Sequence, residues 1–374
     1  MGLLIIDGWK ADWKKHWVKT SYIPLLCMYN IVLIISLFAN PMNEHALSYM
    51  LQTMATIPVY WLIVQSSTEY DLDRILKAFI IAAALNSLAF MVFFLYGTPQ
   101  AALAGFIFGF LRPMVLGVNA NLWPYPSLIA IPILIAYFVH KPLTWRDQMW
   151  FGAALVVVSA IVVINMSRSV ILGLFGATLF ILWTHADWRR RLLIGSVVLG
   201  IIAMVTLPLY YDILEGVLRL KSGLTGREQL WRMSFMAIMH DPLFGLGPAN
   251  LQERFVLISP FMRNGAVINA DMPSTHNLYL QVAVEIGVLG ALISLSIMLL
   301  FFYRSWKLWS QLKGTLLFPA LVALTGVVFA AFIRSIFETE LAFQHGHLYK
   351  NLFVLISLAF QDQLSHRAAR DYGR

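Results

Sequence analysis

The chain has 374 residues, 59% of them apolar and 12% charged, against roughly 45–50% and about 25% in ordinary soluble domains. With a mean hydropathy of +0.72, that composition excludes a soluble α/β enzyme and a disordered regulator. The single cysteine, Cys27, excludes a disulfide scaffold. The net charge of +8 fits lysine and arginine gathered on the cytoplasmic side of a membrane better than a nucleic-acid surface. The expected fold class is all-α: a polytopic membrane protein forming one integral-membrane domain over 1–374, with membrane lipids around it and no nucleic-acid partner.

The first twenty residues carry Trp9, Trp13 and Trp17 at four-residue spacing among Lys10, Lys14, Lys15 and Lys19, the pattern of a helix lying in the cytoplasmic interface. A crossing needs roughly 20 mostly apolar residues. Ten stretches qualify: 21–39, 46–66, 77–96, 122–140, 149–166, 168–185, 191–210, 277–303, 315–334 and 347–361. The apolar run from Met149 to Trp183 is too long for one crossing and breaks once, at Asn165-Met166-Ser167-Arg168, which predicts two helices joined by a tight turn. Ala101–Phe110 is too short to span and reads as interfacial or re-entrant.

Lysine and arginine set the orientation. With a cytoplasmic N-terminus, seventeen fall on inner segments and four on the short outer ones, Arg112, Arg168, Arg334 and Lys350. Both termini are therefore expected in the cytoplasm. Trp145, Trp150, Trp306 and Trp309 fit the interfacial aromatic belt on the same side.

That topology gathers Arg112, Arg168, Arg227, His276 and Arg334 on or near the outer side, although they are far apart in sequence. Charge at membrane depth is costly and often functional. Four of them also have a bland reading. Arg168 could be a turn residue snorkelling to the headgroups, and Arg112, before Pro113, could anchor the re-entrant segment. Arg334 could form an ion pair with Glu338 or Glu340. His276 could be a structural histidine at a helix start.

The outer loop 211–276 is too long to be a bare connection. Within it, Leu230, Trp231, Met233, Phe235, Met236 and Ile238 predict a helix over 226–239 lying on the membrane surface, ended by Asp241-Pro242. Gly245-Leu246-Gly247-Pro248 reads as a turn rather than a phosphate cradle, before a second short helix around Asn250–Leu257. Glu285 lies nine residues beyond His276, about 13 Å along the helix and on its opposite face, so pairing with a neighbouring helix is expected. His345 and His347 with Glu338 and Glu340 do not match the usual zinc spacings, and no aspartate-rich magnesium motif occurs, so no metal is expected. Neither a P-loop, a dinucleotide fingerprint nor a Ser-His-Asp grouping is present, and internal repeats are not evident.

Arginines at headgroup level suit a lipid-linked phosphate or diphosphate, because guanidinium binds phosphate through paired, charge-assisted hydrogen bonds. A neutral imidazole can take the proton from an attacking hydroxyl. Together they suggest glycosyl transfer from a polyprenyl-diphosphate sugar, a donor that carries its own leaving group and needs no cofactor.

The stretches GREQLWRMSFMAIMHDPLFGLGPANL and STHNLYLQVAVEIGVLG resemble the signature of the bacterial O-antigen ligase and O-antigen polymerase superfamily. The ligase pattern of His, Asn, nine residues and Gly-x-x-Gly is met by His276, Asn277, Gly287 and Gly290; Arg-x-x-x-Trp is met by Arg227 and Trp231. Pro-x-x-Gly-x-Gly is met by Pro242, Gly245 and Gly247, and the upstream Ser-Arg by Arg168. The resemblance implies a metal-independent, inverting inner-membrane glycosyltransferase with a periplasmic active site. It would move glycan from undecaprenyl diphosphate to a hydroxyl of lipid A–core. Arg168 and Arg227 would bind the diphosphate, and His276 would activate the acceptor. Arg112, Asn277, Arg334 and Trp231 complete the candidate substrate-binding set.

Family members often have twelve spans, where ten are expected here, and the asparagine-rich segment is only loosely met by Arg112 through Asn119-Ala120-Asn121. No large outer domain follows the last span, which points away from the protein-glycosylating relatives. Two competing readings are a polymerase acting on two lipid-linked glycans and a transporter of lipid-linked or anionic substrates.

Overall fold

Apolar runs bounded by proline, asparagine or charge become helices wherever the computed structural model describes the chain, which is over residues 18–41, 45–97, 123–165, 167–191, 227–251, 274–339 and 348–372. In order they are α1 (Ile23–Ala39), α2 (Ala46–Met54), α3 (Thr56–Ser66), α4 (Glu69–Gly97), α5 (Tyr125–His140), α6 (Trp145–Asn165), α7 (Arg168–Trp183), α8 (Arg227–His240), α9 (Leu278–Leu312), α10 (Phe318–Arg334) and α11 (Leu348–Tyr372). No strand occurs among the described residues. Among the described residues, four helical stretches are long and apolar enough to cross a membrane: Ala46–Ser66, Asp71–Leu95, Trp145–Asn165 and Leu278–Leu312. Four shorter apolar helices accompany them, α1, α5, α7 and α10. The protein is a multi-pass membrane protein.

The break expected inside the Met149–Trp183 run is there, with α6 ending at Asn165 and α7 starting at Arg168. The expected span 46–66 divides at Ala55 into two short helices. Pro58 has no N–H to offer the carbonyl of Met54, and the Thr53 and Thr56 hydroxyls turn back to the Tyr49 and Thr53 carbonyls at 2.9 and 2.6 Å. The interfacial helix before residue 18, the segment around Ala101–Phe110, the span 191–210 and the short helix after Leu251 lie outside the described residues.

Two compact units form. The first contains residues up to Leu72, Gly226–Lys313 and Ser335–Arg374. Here α9 is the central element, packed by α1, α8 and α11, and α11 also meets α3. Three consecutive polar residues of α11 are buried and hold one end of this unit. Asp362 accepts from the Ser21 amide at 2.8 Å and from the Tyr60 hydroxyl and the Arg304 guanidinium. Gln361 accepts from Tyr22 and donates to the Phe301 carbonyl at 2.8 Å, while Gln363 donates to the Ser67 carbonyl at 2.8 Å. Buried polar groups are tolerated because each has a partner. These bonds carry α11 past the expected end of its span, residue 361, to Tyr372.

The second unit contains Asp73–Thr225 and Gly314–Arg334. Its core is α5, α7 and α10, and small residues let the backbones approach, as is usual between membrane helices. A methyl group on Gly173 would lie 2.7 Å from the Ala330 carbonyl, and one on Gly326 2.8 Å from Ile181. These contacts run α7 antiparallel to α10. Leu128 against Gly173 and Pro132 near Gly326 set α5 parallel to α7. The N-termini of α5 and α7 and the C-terminus of α10 therefore share one end of this unit. At the other end Asp73 takes Lys77, Lys141 and the Tyr137 hydroxyl at 2.9, 2.6 and 2.9 Å.

Candidate functional site

The site is built at the start of α9, where the Ser274–Asn277 segment turns into the helix. Asn277 is a strong N-cap type, and its side chain accepts from the Leu280 amide at 3.0 Å. The residue before it, His276, has φ +50°, a left-handed conformation that few non-glycine residues adopt. The turn is braced from several directions. Trp231 donates its indole N–H to the Thr275 carbonyl at 3.2 Å, the Thr275 amide donates to Gln281 at 2.9 Å, and the His276 amide donates to Ser274 Oγ at 3.1 Å. Backbone held in a sparsely populated region by such bracing is commonly found at functional sites.

The imidazole of His276 meets Glu338, 62 residues away, with Nδ1 3.1 Å from Oε2. The other carboxylate oxygen of Glu338 accepts from Arg227 Nη2 at 2.9 Å. Glu338 sits on the Ser335–Thr339 segment, which is stitched to the start of α9. The Leu278 amide donates to the Ser335 carbonyl at 2.9 Å, Asn277 Nδ2 to the Ile336 carbonyl at 3.0 Å, and the Ser274 and Thr339 hydroxyls lie 3.0 Å apart. The Glu338 side chain is 7% exposed, against 18% for Arg227 and 33% for His276. The carboxylate is thus a buried support beneath two groups that keep an open face.

This geometry decides what the histidine can do. An ionised carboxylate only accepts hydrogen bonds, so the Glu338 contact places the ring proton on Nδ1 and leaves Nε2 with its lone pair. A neutral imidazole so oriented is a proton acceptor, and the carboxylate behind it steadies the imidazolium that results. The guanidinium of Arg227 is the matching electrophilic part. It stands on the first residue of α8, where the helix dipole opposes a cation and favours an anion.

Helix α8 runs over Arg227–His240, as expected from its apolar spacing, but the face it buries meets α9. Met233 and Ala237 pack with Leu246, Leu251 and Val284. Phe235, Met236 and Met239 point outward.

The chain after α8 then docks into a break in α9. Gly287 has φ +87° and ψ 172° in the middle of the helix, which interrupts the regular ladder. The Val288 amide bonds to the Pro242 carbonyl at 2.9 Å, and the Val284 and Glu285 carbonyls accept from Leu246 and Gly247 at 2.7 and 3.0 Å. Three backbone groups at the kink are thus taken by the turn. The turn itself needs its glycines, with φ +63° at Gly245 and +93° at Gly247. The Ser36 hydroxyl of α1 adds a further bond, reaching the carbonyls of Phe244 at 2.5 Å and Glu285 at 2.9 Å. Losing that buried hydroxyl in Ser36→Ala is expected to cost about 1 kcal/mol, read as a small drop in the thermal unfolding midpoint in detergent with transfer activity retained.

The structure thus brings together Arg227, His276, Trp231 and Asn277 of the expected set. Arg168 and Arg334 belong to the second unit, where α7 begins with the first and α10 ends with the second, at the same end of that unit. Arg334 is buried, with its guanidinium 5.2 Å from the centre of the Tyr125 ring. Arg112 lies outside the described residues, as do Asn119-Ala120-Asn121, Glu340, His345 and His347. Glu285 takes Gln281 of its own helix on its carboxylate, and Ser36 of α1 reaches its backbone carbonyl. Among the described residues no three His, Cys, Asp or Glu side chains group to hold a metal.

Sequence reasoning placed Glu338 beside Arg334 and missed its place under His276. The available signal was an acidic residue on a short segment expected on the same side as the histidine. Residues 153–295 match the family model described as O-antigen ligase, a stretch that includes Arg168, Arg227, Trp231, His276 and both signature glycines, and ends before Glu338. No curated protein matches the chain.

Proposed function

We propose, for a chain whose residues 153–295 match the family model described as O-antigen ligase, that it is an O-antigen ligase: a metal-independent, inverting glycosyltransferase acting on the periplasmic face of a bacterial inner membrane. In this reading ten spans cross the membrane with both termini in the cytoplasm, on the strength of the lysine and arginine distribution. The donor is glycan on undecaprenyl diphosphate, and the acceptor is a sugar hydroxyl of lipid A–core. The observation that carries it is Glu338 holding His276 by Nδ1 and Arg227 by its guanidinium.

The chemistry follows from those atoms. Nε2 of His276 takes the proton of the acceptor hydroxyl as its oxygen attacks the anomeric carbon. The bond from that carbon to the diphosphate oxygen breaks, and its electron pair leaves with the diphosphate, inverting the centre. Arg227 neutralises the charge that gathers on the leaving group; on the resemblance, Arg168 is assigned to the donor diphosphate and Arg112 and Arg334 to substrate binding. The ligase-type spacing of His276, Asn277, Gly287 and Gly290 favours lipid A–core over a second lipid-linked glycan as acceptor.

The test is purified protein with undecaprenyl-diphosphate glycan, with and without lipid A–core. Product formed only when lipid A–core is present supports the ligase. Longer glycan on the lipid carrier without lipid A–core makes the protein a polymerase, and no product in either tube returns the question to transport. Arg227→Ala in the same assay is expected to lower the transfer rate by roughly 100–1000-fold.

A further inference from the structure

The shared carboxylate raises a question that the transfer chemistry alone does not answer. Glu338 gives one oxygen to Arg227 at 2.9 Å and the other to His276 at 3.1 Å, so the group expected to bind the donor and the group expected to activate the acceptor compete for one charge. We propose that Glu338 is a positioning residue shared by Arg227 and His276, and that a bound diphosphate draws Arg227 away while the carboxylate stays with His276. The inference rests on the donor being a diphosphate, as proposed above, and adds that donor binding strengthens the support of the base.

Three features of the site support an exchange rather than a fixed triad. First, the two partners are accessible and the carboxylate is not: the side chains of Arg227 and His276 are 18% and 33% exposed, and that of Glu338 is 7%. An arriving anion therefore meets the guanidinium, while Glu338 has no open path by which to follow it. Second, among the described residues Arg227 commits Nη2 alone, and a guanidinium has five N–H donors in a fork suited to phosphate. Third, Arg227 is the first residue of α8, where the helix dipole favours an anion. A diphosphate carries more charge than one carboxylate and can be held at two oxygens, so it is the stronger partner there.

Glu338 itself is kept in place by contacts that do not involve Arg227. Its segment is bonded to the start of α9 through the Leu278 amide, the Asn277 side chain and the Ser274–Thr339 pair. When Arg227 leaves, the carboxylate stays beneath His276 and steadies the imidazolium formed as the acceptor loses its proton. The base is then better supported when a donor is present to react with.

The experiment is a binding and rate comparison on the full-length protein in detergent. The probe is farnesyl diphosphate, a short prenyl diphosphate without sugar, tested on wild type, Glu338→Gln, Arg227→Ala and the double variant. Glu338→Gln frees Arg227, so farnesyl diphosphate is expected to bind it about tenfold more tightly, which is about 1.4 kcal/mol. That gain should vanish when Arg227 is also replaced. In the transfer assay the same variant is expected to show a lower donor KM together with a lower kcat, whereas a merely structural defect raises KM. Unchanged or weaker binding by folded Glu338→Gln overturns the exchange and leaves the diphosphate reading standing. Failure of wild type to bind the probe, or binding insensitive to Arg227→Ala, overturns that reading and the exchange with it. If Glu338→Gln does not fold, Glu338→Asp keeps the charge but is one methylene too short to serve both partners, and reads out the same sign.

Discussion

Replacing His276 with alanine is expected to slow glycan transfer by roughly 100–10,000-fold, the usual contribution of a positioned general base, with donor binding little changed. The separation follows from the geometry. The imidazole presents Nε2 to the acceptor because Nδ1 is occupied by Glu338 at 3.1 Å, while Arg227 reaches the other oxygen of Glu338 independently at 2.9 Å. Initial rates with undecaprenyl-diphosphate glycan and lipid A–core, alongside farnesyl diphosphate binding, measure both quantities. Transfer within tenfold of wild type would place the base elsewhere. Loss of probe binding in parallel with rate would instead make the histidine part of the donor site.

Gly287→Ala is expected to destabilise the first unit by on the order of 3 kcal/mol, because φ +87° with ψ 172° lies in a region that is essentially closed to residues with a Cβ. A steric cost is added to the conformational one. A methyl group there would collide with the Leu243 backbone carbonyl, and the turn that satisfies the kinked backbone of α9 would have to lift away. That turn continues directly from α8, which carries Arg227, so transfer should fall together with stability. Gly290→Ala is the control. Its methyl group would press on Ile286, 2.8 Å from Cγ2 and 3.0 Å from Cβ, a packing cost, but its backbone is helical and no conformational cost is added. Thermal unfolding of the two variants in detergent should rank Gly287→Ala well below Gly290→Ala; equal effects would mean that the kink is not what the first glycine is there for.

Much of the architecture was legible because it is written locally. The apolar stretches that became α1, α5, α6, α7 and α10 are recognisable from composition alone. The break at Asn165–Arg168 follows from a charged turn interrupting an apolar run, whereas the division of the expected 46–66 span at Ala55 was not anticipated, although Pro58 lies three residues on. His276, Asn277 and Arg227 were singled out by motif spacing within short segments, and these segments do start helices or precede them.

The sequence by itself determined that the chain is helical, membrane-embedded and marked by an arginine and a histidine at two helix starts, because apolar runs, N-cap residues and prolines act on neighbours within a few positions. Tertiary structure alone decided that Glu338 lies under both of them, 62 residues from His276 and 111 from Arg227. It also decided that Gly287 opens α9 to receive the Pro242–Gly247 turn. A carboxylate's partner, like the partner of an unpaired carbonyl, is set by which helices pack together, and packing depends on the whole chain burying its apolar faces at once.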